Sequence, residues 1–171
     1  MTIQKRQTMV RILPLLLLGL LWPPLQPATL RAQDHTPIRM FFPRGGERLA
    51  EEIREIDPSG SPNERAGRLV RELLAGPRTD LEPAFFPGTR LGQVFVDHDG
   101  TAYVDLDTAG VKGQYGLVQE RLALWSLVNT LCYNLSEVQA VKVLVSGGEA
   151  RTLFGHVDIG RPLRPDDGLI E

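Results

Sequence analysis

The chain has 171 residues, 42% of them hydrophobic, with 19 basic and 21 acidic side chains and a formal net charge of -2. That composition supports one ordinary globular core and argues against wholesale disorder and against a basic nucleic-acid binder. A single cysteine excludes an intramolecular disulfide framework and a multi-cysteine zinc site, and no run of about eighteen apolar residues marks an ordinary transmembrane helix.

The first segment reads as an address. Met1 to Arg11 carry Lys5, Arg6 and Arg11 and no acid, and the uncharged, leucine-rich stretch Ile12 to Trp22 follows. A basic start before a short apolar run is the pattern of a secretory signal peptide. Pro14 and Pro23-Pro24 interrupt the run and disfavour a core helix. We expect a signal over residues 1–32, with Ala32 before the cut, and a linker over 33–37. Without residues 1–32 the chain keeps 15 basic and 21 acidic residues, a formal charge of -6. Such an acidic chain is a poor partner for nucleic acid or an anionic membrane surface.

The elements follow in order. Ile38 to Phe42 alternates and stops at Pro43-Arg44-Gly45-Gly46, a strand and a turn. Arg48 to Ile56 places Leu49, Ile53 and Ile56 on a helical stripe, so periodicity alone predicts helix. Ser61-Pro62-Asn63-Glu64 carries the signals of a capping box with proline at the first helical position. Ala66, Leu69, Val70, Leu73 and Leu74 give that helix an apolar face, and Gly76-Pro77 ends it. A loop over 78–90 holds Phe85-Phe86-Pro87-Gly88-Thr89. Arg90 to Val96 and Thr101 to Leu106 read as strands joined at the Asp99-Gly100 turn. A second, well-buried helix runs from Gly116 to Tyr133, with Asn134 expected in a left-handed closing conformation. Val138 to Val145 is apolar on both faces and reads as a central strand. Ser146-Gly147-Gly148 turns the chain into a short last strand, Arg151 to Phe154. Residues 161–171 form a proline- and aspartate-rich tail with little to pack, the last of them, 165–171, flexible. Two amphipathic helices on one face of a mixed sheet make a two-layer α+β sandwich.

The residues that could carry chemistry are few. His35, His98 and His156 are far apart, and none begins a helical His-x-x-x-His pair. Asp97-His98-Asp99-Gly100 reads as a turn, because the twelfth position of a calcium loop falls on Thr108. Asp105 and Asp107 project from one face of their strand; a carboxylate pair could serve glycan hydrolysis, but the solvent face of a half-buried strand explains them better. No nucleophile elbow or phosphate loop occurs. Cys132 lies in an apolar helical stretch and reads as a packed, unreactive thiol. Asn134-Leu135-Ser136 matches a glycosylation acceptor, a short pattern that matters only in a host with that pathway. No catalytic, cofactor or metal residue is assigned, and the chain is not expected to be an enzyme.

Five stretches together resemble the GerMN domain family of bacterial spore germination proteins. They are Leu73-Leu74-Ala75-Gly76-Pro77; Phe86-Pro87-Gly88-Thr89-Arg90-Leu91; Ala102-Tyr103-Val104-Asp105-Leu106; Val128-Asn129-Thr130-Leu131 with Val141-Lys142-Val143-Leu144-Val145; and Gly155-His156 with Arg161-Pro162-Leu163. The resemblance spans residues 38–164. It implies a non-enzymatic module of the bacterial envelope, similar to the ring-building domains of secretion assemblies, and it makes Arg48 to Ile56 extended. Within it, Thr130 is expected to bond back to a carbonyl and Asn129 to reach a neighbouring loop.

The expected role is therefore an exported, periplasmic or extracellular interaction or assembly module, linked to sporulation, germination or envelope complexes. Its partners would be envelope proteins or a second copy of the chain, with no nucleic acid and no membrane span once the signal is removed. A second reading is a peptidoglycan- or glycan-binding module using Phe85, Phe86, Tyr103 and Tyr115 as stacking surfaces. A third is a small hydrolase using Asp105 or Asp107.

Overall fold

The computed structural model describes residues 35–171, so the expected signal at 1–32 lies outside the described residues. The order is β1 Thr36–Arg44, β2 Arg48–Ile56, α1 Pro62–Leu74, β3 Arg90–Val96, β4 Thr101–Asp107, α2 Leu117–Asn134 and β5 Ala140–Val145, followed by a single 3-10 turn at Asp167–Leu169. The chain has the expected α+β class. Its strands are shared between a β1–β2 antiparallel hairpin and a three-stranded sheet of order β3-β4-β5, in which β4 is antiparallel to β3 and parallel to β5. The parallel β4–β5 pair needs a long crossover, and α2 supplies it.

The division into two sheets has a local cause. The Arg39 and Phe41 N–H groups point away from β2 and are taken by α2: Arg39 donates to Asn134 Oδ1 at 2.8 Å and Phe41 to Thr130 Oγ1 at 3.2 Å. Asn134 Nδ2 returns a bond to the Arg39 carbonyl at 2.7 Å and another to Thr130 O. Helix side chains thus occupy the edge on which another strand would pair. Asn134 does this from a helical position, so the expected left-handed closure is not adopted; Leu135 caps the helix in an extended conformation. Thr130 accepts from β1, and Asn129 reaches the tail as expected, exchanging bonds with Asp166.

β2 is extended over its whole length. The helical reading of its periodicity fails because two of its inward-facing side chains are charged. Ala50, Glu52 and Arg54 are buried, whereas Ile53 is 60% exposed. Glu52 and Arg54 form an ion pair at 2.6 Å, and Arg54 also reaches Glu72 at 2.8 Å. The same guanidinium donates to the carbonyls of Glu72 and Gly76 and lies over the Phe42 ring. A cation is favoured there, at the C-terminus of α1. Glu52 accepts from the Arg78 and Thr79 N–H groups and from the Thr79 hydroxyl, which holds the turn after α1 against β2.

α1 starts as its sequence dictates. Ser61 N–H donates to Glu64 Oε2 at 2.7 Å, Ser61 Oγ accepts from Glu64 N, and Pro62 opens the helix. The main core joins Met40 and Phe42 of β1, Leu69 and Leu73 of α1, Val104 and Leu106 of β4, Leu127 and Leu131 of α2, and Val141 and Val143 of β5. A smaller cluster lies across the hairpin: Phe41, Leu49, Leu122 and Leu169. α2 touches both, which is why it is buried nearly all round.

Three expectations are corrected. β5 lies at the end of its sheet and β4 is central; Val141 and Val143 of β5 face the main core, and the chain after β5 covers its Lys142 side and its outer edge. Leu163 pairs with Val141 through two 2.8 Å bonds, and Lys142 Nζ, itself buried, donates to the carbonyls of Ile159 and Gly160. Arg151 to Phe154 forms no strand, only a Thr152–Asp158 bridge, because its N–H groups are drawn to a helix carboxylate. The tail is docked. Leu169 is 4% exposed, Trp125 Nε1 donates to Arg164 O at 3.1 Å, Tyr133 OH bonds Asp167, and Glu171 N–H donates to Leu49 O at 3.0 Å. Burying one leucine stabilises by about 1.5–3 kcal/mol, enough to hold a short tail with these bonds.

Two outcomes follow for the buried pair. Arg54→Ala leaves the Glu52 charge without its cation, so urea unfolding should show a loss of about 3–5 kcal/mol. Burial pushes the Glu52 carboxyl up, but the bonds from Thr79, Arg54 and Arg78 outweigh it and hold the group below its ordinary 4.5. Its contribution is complete above that value and is lost as pH falls through the folded-state pKa. Glu52→Gln should therefore lower stability at pH 7 and flatten the acid limb of the stability curve; an unchanged acid limb would contradict the assignment.

Candidate functional site

Three irregular segments meet around one aromatic stack. The loop between α1 and β3 brings Phe85 and Phe86, the loop between β4 and α2 brings Gln114 and Tyr115, and the segment after β5 brings Phe154 and His156. Tyr115 and Phe154 stack with centroids 3.8 Å apart and planes 4° apart, and Phe86 packs on Tyr115 at 4.0 Å. The Phe86 N–H donates to the Tyr115 hydroxyl, and burial pushes that phenol above its ordinary value. Gly88 is required where the first two loops touch. Its φ is +101°, and a Cβ there would stand 2.2 Å from the Gly110 carbonyl oxygen.

Two cavities adjoin the stack and share Tyr115. One, of about 310 Å3, lies among Pro43, Glu82, Phe85, Phe86 and Gln119. The other, of about 390 Å3, is lined by Gly113, Gln114, Phe154 and His156. Both volumes are in the range of small-molecule clefts, roughly 300–1,000 Å3.

Glu120, fully buried in the first turn of α2, holds the third segment in place. Its Oε1 accepts from Leu153 N at 3.1 Å and Phe154 N at 2.8 Å, and its Oε2 accepts from His156 N at 2.7 Å. His156 Nδ1 lies 3.0 Å from the same Oε2. Four contacts fill the lone-pair positions of a carboxylate. The stack thus depends on a residue that sequence reasoning passed over: Glu120 carries no motif, and its only signal was an acid on the otherwise apolar side of a buried helix.

The residues singled out from sequence divide clearly. Phe85, Phe86 and Tyr115 come together, and Phe154 joins them. Tyr103 does not; it packs near Phe95, 6.4 Å between centroids, elsewhere on β3 and β4. Asp105 Oδ1 accepts from Gly147 N at 2.8 Å and Asp107 Oδ1 from Ala109 N at 2.9 Å, so each holds a turn. Asp97 Oδ1 accepts from the N–H groups of Asp99 and Thr101, the bonding of a tight turn. Cys132 is half-buried, and burial pushes its thiol up to about 11. His98 and His156 stand apart from one another, and no group of three or more His, Cys, Asp or Glu side chains is placed to hold a metal among the described residues.

Glu120→Ala should leave several N–H groups without an acceptor, at about 1–3 kcal/mol for each one that stays buried. Amide exchange at Leu153, Phe154 and His156 should accelerate beyond the rest of the domain; uniform acceleration would mean the segment is held by other contacts.

The comparisons with known proteins agree on the fold. The chain is similar to a candidate lipoprotein from Clostridium perfringens, at 20% identity and a TM-score of 0.56 over 78% of this chain and 89% of that one. It is similar to the tandem GerMN domains of the sporulation protein GerM from Bacillus subtilis, at 19% identity and a TM-score of 0.57 over 77% of this chain and 46% of that one. It is also similar to the first GerMN domain of that protein alone, at 20% identity and a TM-score of 0.55 over 75% of this chain and 97% of that one. No curated protein matches. The family model described as Germane, sporulation and spore germination, matches residues 39–151, well over half of the chain. The chain therefore belongs to the Germane family.

Proposed function

We propose that this chain is an exported envelope protein whose Germane domain is a non-catalytic interaction or assembly module, in a sporulation or germination setting or another envelope complex. The observation that carries the reading is the outer edge of β2. Among the described residues β2 forms a ladder with β1 alone, beyond a single Leu49–Ile170 bridge. The alternation set by the outward Arg39 and Phe41 N–H groups turns the main-chain groups of Leu49, Glu51, Ile53 and Glu55 outward as well. Leu49 already accepts from the tail at Glu171. From Glu51 to Glu55 no main-chain partner is present among the described residues, and Ile53 stands exposed between two acids. An open strand edge is a template for strand addition by a partner.

Two further points support the reading. Asp105, Asp107, Glu52 and Glu120, the carboxylates with the best positions for chemistry, are all committed to holding backbone N–H groups. The leader-like residues 1–32, and the fold shared with a candidate lipoprotein, favour the envelope. A second reading, a glycan-binding module, is favoured by the Phe86–Tyr115–Phe154 stack and its two cavities.

A benzophenone side chain at Ile53 should crosslink to a partner in envelope extracts, and one at Phe95 should not. Ile53→Pro removes an outward N–H that the hairpin does not use, so it should abolish partner binding while the domain still melts cooperatively. A monomer that yields no adduct at either position would sink the interaction reading.

A further inference from the structure

We propose that His156 is the polar anchor of a binding site for a neutral saccharide, in the cavity bounded by Gly113, Gln114, Tyr115 and Phe154. The proposal rests on the second reading above, that the domain holds cell-wall glycan, and it names the residues and ligand chemistry of that site.

The first step concerns the imidazole. Nδ1 faces a carboxylate oxygen that has no access to solvent. A carboxylate only accepts, so Nδ1 carries a proton. In the neutral ring, Nε2 then has a free lone pair. The side chain is 40% exposed and lines the cavity, with Nδ1 turned to Glu120. A fully buried carboxylate that also binds the His156 N–H fixes both the ring's orientation and its tautomer. An imidazole held this way is preorganised as a hydrogen-bond acceptor on the cavity.

The second step concerns the other walls. The cavity holds about 390 Å3 and has no charged side chain except an ionised His156. A cationic ligand would have no counter-ion there, and an anionic one would have only an ionised His156. Gln114 is exposed and offers both a donor and an acceptor. Phe154, stacked on Tyr115, offers an apolar ring surface. Acceptor, amide and flat apolar wall together suit a ligand with hydroxyl groups and a C–H face, which is a pyranose. A hydroxyl can donate to neutral Nε2 and accept from the protonated ring, so the match survives either charge state.

The third step concerns position. Two walls are held in place: Glu120 of α2 binds residues 153, 154 and 156, and the Gly88–Gly110 contact lies in the loop that leads to Tyr115. Binding groups placed on loops that a scaffold immobilises lose little entropy on engagement.

The test uses the exported chain with two probes, purified peptidoglycan sacculi and the soluble tetramer of N-acetylglucosamine. We expect retention on sacculi, with tetramer-induced shifts at the His156 imidazole nitrogens and the Gln114 side-chain amide. Gln114→Ala, which disturbs no hydrogen bond of the fold, and His156→Ala should each weaken tetramer binding about tenfold or more. Phe95→Ala, on the other sheet surface, should leave it unchanged. If wild type and both cavity variants bind equally, or if the shifts cluster at Glu82 and Gln119 of the neighbouring cavity, the His156 site is overturned and the glycan reading stands. If wild type binds neither probe, both are overturned.

Discussion

Backbone polar groups buried outside helices and ladders must still find partners, and that constraint governs this domain. The chain between α1 and β3, and all but a single 3-10 turn of the chain after β5, is irregular and packs against the core. Neither stretch can satisfy its own N–H and C=O groups. The solution is a set of buried polar side chains that stand in for a strand. Glu52 takes the N–H groups of the turn after α1. Glu120 takes three from the segment after β5. Lys142 of β5 gives to the carbonyls of Ile159 and Gly160, and Asn129 and Asn134 exchange bonds with the tail and with β1. Remove one and a loop loses its bonds while its apolar side chains still need burial.

α2 concentrates this duty. Its apolar residues face two clusters on opposite sides, so it has no broad solvent face. The polar side chains among them are not defects in a hydrophobic pattern. Glu120 at the start, Asn129 and Thr130 in the middle, and Asn134 at the end each meet a different neighbour. A helix arranged this way fixes three otherwise independent segments in one register. Ser126 is the exception: its hydroxyl is buried with no partner, and the structure gives no physical reason for it.

These same devices decide what is left for function. Covering the outer edge of β1 with helix side chains leaves the β2 edge as the exposed edge of the hairpin. Holding the segment after β5 against α2 leaves a cavity with one oriented histidine, and one aromatic wall, Tyr115, shared with a second cavity. Both surfaces are by-products of how the backbone is satisfied. The open β2 edge at Glu51 to Glu55 and the cavity beside His156 are formed by different residues.

Much of the fold is written locally. The capping box at Ser61, the stop at Gly76-Pro77, the Asp99-Gly100 hairpin and the alternation of β4 are short-range physics, and the sequence alone placed each of them. The overlooked features are those in which a charged residue does the work of an apolar one. Glu52 and Arg54 hide a strand behind helical spacing, because a buried ion pair reads as solvent face until its partners are known. Glu120 reads as an ordinary helix acid until Leu153, Phe154 and His156, over thirty residues away, close around it. The tail reads as unstructured because it brings only Leu169 and Ile170 to the smaller core, and the bonds that dock it belong to Trp125, Asn129, Tyr133 and Leu49. Local sequence therefore determined most of the elements and the α+β class. Only the tertiary structure decided which edges are open, which loops are held and where the histidine points, because those depend on pairings between residues distant in the chain.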